Sequence, residues 1–315
     1  DQGLLPHVVR TLTGEAVELP GDGTETAPSP SIDPAFTPVA LLIGPAERYD
    51  VIVDFTEVTP GKMVRMINTG PDEPFGGFDE GTPLPDPLTT AQVMQFKVDD
   101  KLNKGEGDQS THPAALRLNK RKPAGAPRLK KKADRKRDLA LLEEESAEFC
   151  VTIDDITGVI TQVAGDPTVG CPDGSDPFGP KAAVLGYNGS QDVGTVQLWD
   201  DDLQDPTKLN DVEVWELWNQ SADAHPIHLH LVKFEVVNRQ IFGGAKRKPE
   251  LWERGWKDTV IAYPGEVTRI KAKFDIEGLY VWHCHLLSHE DNEMMVPYCV
   301  EGDTFRCPLP TLPAL

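Results

Sequence analysis

The chain has 315 residues, a formal net charge of −20 and an isoelectric point near 4.7. Such a length buries about two modest cores, since domains run to roughly 100–200 residues. The acidic balance disfavours nucleic acid as a partner, and no apolar run reaches the roughly 18 residues of a membrane span.

Residues 1–36 are rich in Gly, Pro, Thr and acids and read as loop with room for one strand. Val39 to Ile43 predicts a strand running into a Gly-Pro turn. Tyr49, Val51, Val53 and Phe55 then alternate with Asp50, Ile52 and Asp54, the period of a strand with one apolar face. Another strand begins at Gly61, carried by Met63, Val64, Met66 and Ile67. Residues 68–90 read as a long loop, and Val93 to Val98 as a last strand. These strands are too few to close a sandwich of about seven, and an open edge is a liability. Residues 1–98 are therefore expected to be part of a domain.

The composition then changes, because residues 117–137 hold eleven of the chain's 31 Lys and Arg. No aromatic residue is interleaved, so base stacking is unsupported. Residues 99–148 read as a basic interdomain linker that pairs with acidic surface elsewhere, a polyanion-binding patch being the competing reading. Asp138 to Glu145 reads as a short helix.

Strand patterning returns at residue 149, over 151–153, 159–163, 183–187, 212–218 and 231–237. Residues 238–257 read as a surface loop. Thr268, Ile270, Ala272 and Phe274 alternate with Arg269, Lys271 and Lys273, the clearest half-buried strand. In the next strand Leu279, Val281, His283 and His285 share one face, while Tyr280, Trp282, Cys284 and Leu286 share the other. Short, evenly spaced strands punctuated by Gly and Pro indicate an all-β sandwich or barrel, with 149–315 as one complete domain.

Six of the eight histidines fall in two clusters, His225-Pro226-Ile227-His228-Leu229-His230 and His283-Cys284-His285 continuing to His289. A thiolate beside imidazoles with a thioether, Met294, close behind is a soft donor set suited to a blue copper centre. Alternation puts Cys284 on the face opposite His283 and His285, so one strand serves two sites. Cys150, Cys171, Cys299 and Cys307 remain. Cys150–Cys171 and Cys299–Cys307 are the short-loop disulfide candidates and four free thiols the alternative, because spacing does not fix connectivity.

The two clusters, H-P-I-H-L-H and H-C-H-L-L-S-H-E-D-N-E-M, resemble the C-terminal signature of the multicopper oxidases. The likeness is strongest to the branch holding the spore-coat laccase and bilirubin oxidase. G-P-A-E-R-Y-D-V-I-V-D-F at residues 44–55 and G-W-K-D-T at 255–259 also resemble that branch. The resemblance covers most of the chain and is least clear over 99–148.

It implies cupredoxin-like Greek-key β-sandwiches, one partial (1–98, from the second domain of three) and one complete (149–315). The implied cofactor is copper. His225, Cys284, His289 and Met294, with Met295 the competing axial ligand, would form the type 1 site. His228 would bind the type 2 copper, and His230, His283 and His285 the type 3 pair. The backbone beside Cys284 would conduct electrons between the sites. Glu290 resembles an acid that delivers protons for oxygen reduction, against the reading of a surface acid. Asp258 is a candidate support for a ligand histidine. Trp252 and Trp256 line the donor entrance or simply pack.

The family's trinuclear cluster uses eight histidines, and this chain offers four. His7 and His112 lie outside the motifs and do not replace the rest. The expected partner is therefore an N-terminal fragment or chain of the same oxidase. Together they would oxidise phenolic, aryl-amine or tetrapyrrole donors one electron at a time and reduce dioxygen to water. A blue-copper electron carrier and an inactive remnant are the alternatives. Disulfides and the resemblance suggest an extracellular, periplasmic or spore- or cell-surface location.

Overall fold

The computed structural model describes residues 41–49, most of 53–99 and nearly all of 132–308, together with three short strands near the start. Residues 18–40, 100–128 and 309–315 lie outside the described residues, as do short stretches elsewhere. Among the described residues the one helix is the single turn Leu287–Glu290, and everything else regular is strand. No helix among them is long and apolar enough to cross a membrane.

Two sheets build the body. The larger has seven strands in the order Thr195–Gln197, Lys181–Tyr187, Arg135–Glu145, Val212–Asn219, Glu266–Lys273, Phe234–Ile241 and Lys246–Arg247. The smaller has five, in the order Thr207–Lys208, Met295–Glu301, Gly278–Cys284, His225–Leu229 and Thr259–Ala262. Leu141, Leu185, Leu217 and Ile270 of the first sheet pack with Ile227, Leu229, Trp282 and Val296 of the second. Trp215 anchors this core, with ring centroids 5.7 Å from Phe274, 5.9 Å from Trp282 and 5.5 Å from Tyr298. This is the cupredoxin-like sandwich.

The segment expected as a helix over 138–145 is instead inside the strand Arg135–Glu145, within the stretch read as linker. Leu, Ala and Glu are good helix formers, but the segment fills a slot between two strands. It runs parallel to Val212–Asn219 and antiparallel to Lys181–Tyr187, and buries Leu139 and Leu141. Burial outweighs a local preference of a few tenths of a kcal/mol per residue. Arg137 of this strand forms a bidentate pair with the buried Glu213 at 2.6 and 3.0 Å. Arg135 and Lys136 meet Asp205 and Glu216.

The strand expected over 231–237 instead covers Phe234–Ile241, and part of the expected loop 238–257 pairs as Lys246–Arg247. Arg239 explains that order: it is fully buried and held by Glu253, Glu266 at 3.0 Å, Thr268 at 2.9 Å and the Ile261 carbonyl at 2.8 Å. Strands Thr259–Ala262 and Met295–Glu301 had no clear pattern of their own.

A three-stranded ribbon of Asp176–Phe178, Phe149–Ile153 and Ile160–Val163 carries the Cys150–Cys171 disulfide. Cys299–Cys307 is also bonded, and Cys284 is the free cysteine. In the first region Gly3–Leu5 pairs with Leu41–Ile43, and Met63–Ile67 with Gln92–Lys97. The strand expected over 49–55 falls largely outside the described residues.

Candidate metal centre

Strand register builds two donor clusters back to back. Within the smaller sheet Ile227 lies opposite Cys284 and His228 opposite His283. Residues directly opposite share a face, so His228 and His283 project together while Cys284 points into the apolar core. Past the strand, Leu287–Glu290 makes one helical turn and the Met294 N–H returns to the His289 carbonyl at 3.0 Å. That turn lays His289 back over the thiol.

Around Cys284 the donor atoms form a triangle. His225 Nδ1 lies 3.7 Å and His289 Nδ1 4.0 Å from the sulfur, and the two nitrogens are 3.2 Å apart. Ligands at roughly 2.0–2.3 Å from one ion have edges of about this length. A thiolate with two imidazoles is the donor chemistry of a type 1 copper. Met295 lies opposite His283 in the sheet, hence on the face away from the thiol. Met294, one position earlier, is fully buried in the core cluster that contains Cys284.

Electrostatics favour an uncharged resting site. Burial, with the neighbouring His289 charge second, pushes His225 down to about 3, so its ring is neutral at pH 7. Burial pushes the Cys284 thiol up to about 12, against a Leu286 N–H that lies 3.4 Å from the sulfur. A thiolate there needs a bound cation.

One residue at this site escaped the sequence reading. Ser221 Oγ sits 2.7 Å from His225 Nε2 and 2.6 Å from Asn219 Oδ1. The ring donates to the serine, which donates to the asparagine, leaving Nδ1 as the ligand atom. A hydroxyl four residues before a histidine is too common a signal to single out. His225 is fully buried while His289 is half-buried, so His289 is the exposed edge of the site.

On the other face His228, His230 and His283 converge, with one ring nitrogen from each inside a 4.8 Å span. His230 Nε2 and His283 Nε2 are 3.2 Å apart. The carbonyls of Asp258 and Cys284 each stand 2.9 Å from the Nδ1 of His228 and His283, which fixes Nε2 as the outward atom. His285 stands beside this trio and outside its span, its ring 5.3 Å from His283 and 5.9 Å from His228 between centroids. Burial lowers His228 and His230 as well.

Glu290 Oε2 lies 3.2 Å from His283 Nδ1 and 3.9 Å from His285 Nδ1. The His283 proton goes to the Cys284 carbonyl, and this carboxylate oxygen is buried with no hydrogen-bond partner among the described residues. Trp256 is partly exposed and carries Lys233 over its ring at 5.2 Å, while Trp252 lies outside the described residues.

Residues 187–303 match the family model described as "Multicopper oxidase". The chain belongs to the multicopper oxidase superfamily. Two curated relatives are laccases. That of Bacillus stratosphericus is 32% identical over 272 residues, covering 82% of this chain and 42% of the relative. That of Haloferax volcanii is 31% identical over 264 residues, covering 84% and 35%. The solved McoA multicopper oxidase 2F4 variant from Aquifex aeolicus superposes with a TM-score of 0.52 at 20% identity, over 95% of this chain and 53% of that one. This multicopper oxidase chain thus spans less than half the length of those curated relatives. Its two clusters match a type 1 copper site and half of a trinuclear cluster.

Proposed function

We propose that this chain is the copper-binding C-terminal part of a laccase- or bilirubin-oxidase-type enzyme, with residues 1–98 belonging to a second cupredoxin domain. The observation that carries this reading is the single strand Gly278–Cys284 extended to His285. Its thiol faces His225 and His289, while its flanking His283 faces His228 and His230. Copper, when bound, supplies one-electron acceptance at the first site and multi-electron delivery to dioxygen at the second.

The protein's own groups set the direction. His289 offers the half-buried edge at which a phenolic, aryl-amine or tetrapyrrole donor gives up one electron. Buried apolar neighbours of Cys284 exclude water and favour the less charged reduced state. The Cys284–His283 and Cys284–His285 peptides are the shortest covalent link between the faces. Reduction of one dioxygen to two waters consumes four electrons and four protons, and Glu290 Oε2, buried and unpartnered beside His283, holds and passes protons there. Dioxygen reduction needs four further histidines, and an N-terminal chain or fragment of the same oxidase is their proposed source. Two disulfides suit an extracellular, periplasmic or surface location.

The test is to combine the copper-loaded chain with that N-terminal partner, count copper and follow oxygen. About four coppers per particle and four donor electrons per dioxygen support the oxidase. About one copper, with donor oxidation but no oxygen uptake, supports a one-site electron carrier instead.

A further inference from the structure

We propose that the dipeptides Glu47-Arg48 and Lys257-Asp258 form a clasp that sets the ring of His228, making Arg48 and Asp258 positioning residues for the imidazole site. The Gly44-Pro45 turn presents the first pair: Glu47 N–H donates to the Gly44 carbonyl at 3.1 Å, and Gly44 N–H donates to Glu47 Oε2 at 3.0 Å. The second pair immediately precedes the strand Thr259–Ala262. Their charges are crossed. Lys257 Nζ lies 2.8 Å from Glu47 Oε1 and 3.0 Å from the Tyr49 hydroxyl. Arg48 grips Asp258 with a two-pronged fork at 2.7 and 2.6 Å, and also donates to the Ala46 carbonyl at 2.6 Å.

The Asp258 carbonyl lies on the main chain beside these two ion pairs. It accepts the Leu229 N–H at 3.0 Å and stands 2.9 Å from His228 Nδ1, with Thr259 Oγ1 at 3.0 Å from the same nitrogen. A carbonyl has no proton to give, so His228 satisfies it as the Nδ1–H tautomer, which frees Nε2 for a metal. The clasp links groups 210 residues apart in sequence, so the imidazole site senses whether the first region is seated. Lys257 and Glu47 are buried and contribute the grip. Arg48 is largely exposed, so its pair adds little to stability. Its fork, however, fixes the position of the residue whose carbonyl holds the ring.

Ring 15N spectra of the metal-free 315-residue chain read the tautomer directly and depend on neither copper nor donor, so they stand apart from the proposed activity. The unmodified chain should show His228 in the single Nδ1–H form. Arg48→Gln and Asp258→Asn should each at least halve that population, leaving His225 and His289 unmoved. Exchanging the pair (Arg48→Asp with Asp258→Arg) should restore it. Should Arg48→Gln fail to fold, Arg48→Lys, which keeps the charge and loses the fork, is read the same way. An unchanged Nδ1–H population in the folded single variants overturns the proposal, as does an Nε2–H ring in the unmodified chain.

Discussion

The two faces of one strand carry opposite kinds of metal site. Behind Cys284 the ligands are drawn into the sandwich core, and His225, Cys284 and Met294 are fully buried. His225 is held from behind by Ser221 and Asn219. Across the strand His228, His230 and His285 stay partly exposed and His283 alone is buried. Their carbonyl props come from the ends of strands. The thiolate site is thus part of the fold's own packing, whereas the imidazole site lies at a partly exposed face. Core mutations should therefore damage the first, and ligand mutations on the open face should leave the fold intact.

The largest contrast comes from Trp215→Ala, which removes the ring packed on Phe274, Trp282 and Tyr298. A loss of about 3–5 kcal/mol in urea unfolding is expected, with a weakened copper–thiolate absorption. Cys284→Ser should abolish that absorption outright. It should cost about 1–3 kcal/mol, the usual penalty for an ill-satisfied buried polar group.

Acidity separates the faces next. His225, about 3 when folded, returns to 6.5 on unfolding, so the unfolded metal-free chain binds the proton between those values. The stability from a neutral His225 is complete above pH 6.5 and falls toward pH 3, by about 1.4 kcal/mol per unit. Cys284 mirrors this, losing stability as pH rises from 9.0 toward 12. Denaturation of metal-free protein across pH should show both limbs, and His225→Gln should flatten the acid one.

Smaller effects belong to the open face and the rim. His285→Ala, at a ring beside the trio and partly exposed, should shift stability by less than about 1 kcal/mol. It should leave the blue absorption intact. Arg135→Gln breaks an ion pair to the exposed Asp205, and its melting point should fall within what about 1 kcal/mol allows.

The sequence made the metal chemistry legible because strand alternation alone sorts Cys284 from His283 and His285. Both disulfides were on the page as short loops. The strand at 135–145 was not, since helix-forming residues were recruited by neighbours distant in sequence, Leu217 and Val184 among them. Met295–Glu301 was hidden because Pro297, which has no N–H for a ladder, interrupts its apolar run. Arg48 escaped because its partner Asp258 lies 210 residues away in sequence, and Ser221 because a hydroxyl four residues before a histidine is too common a signal.

The most direct measurement is copper titration of the isolated chain followed by visible absorption, in parallel with Cys284→Ser and His285→Ala. The account predicts one tightly held copper with an intense blue band, lost in the cysteine variant and unchanged in the histidine variant. Absence of the band from the unmodified chain, or its loss in His285→Ala, would contradict the separation of the two faces.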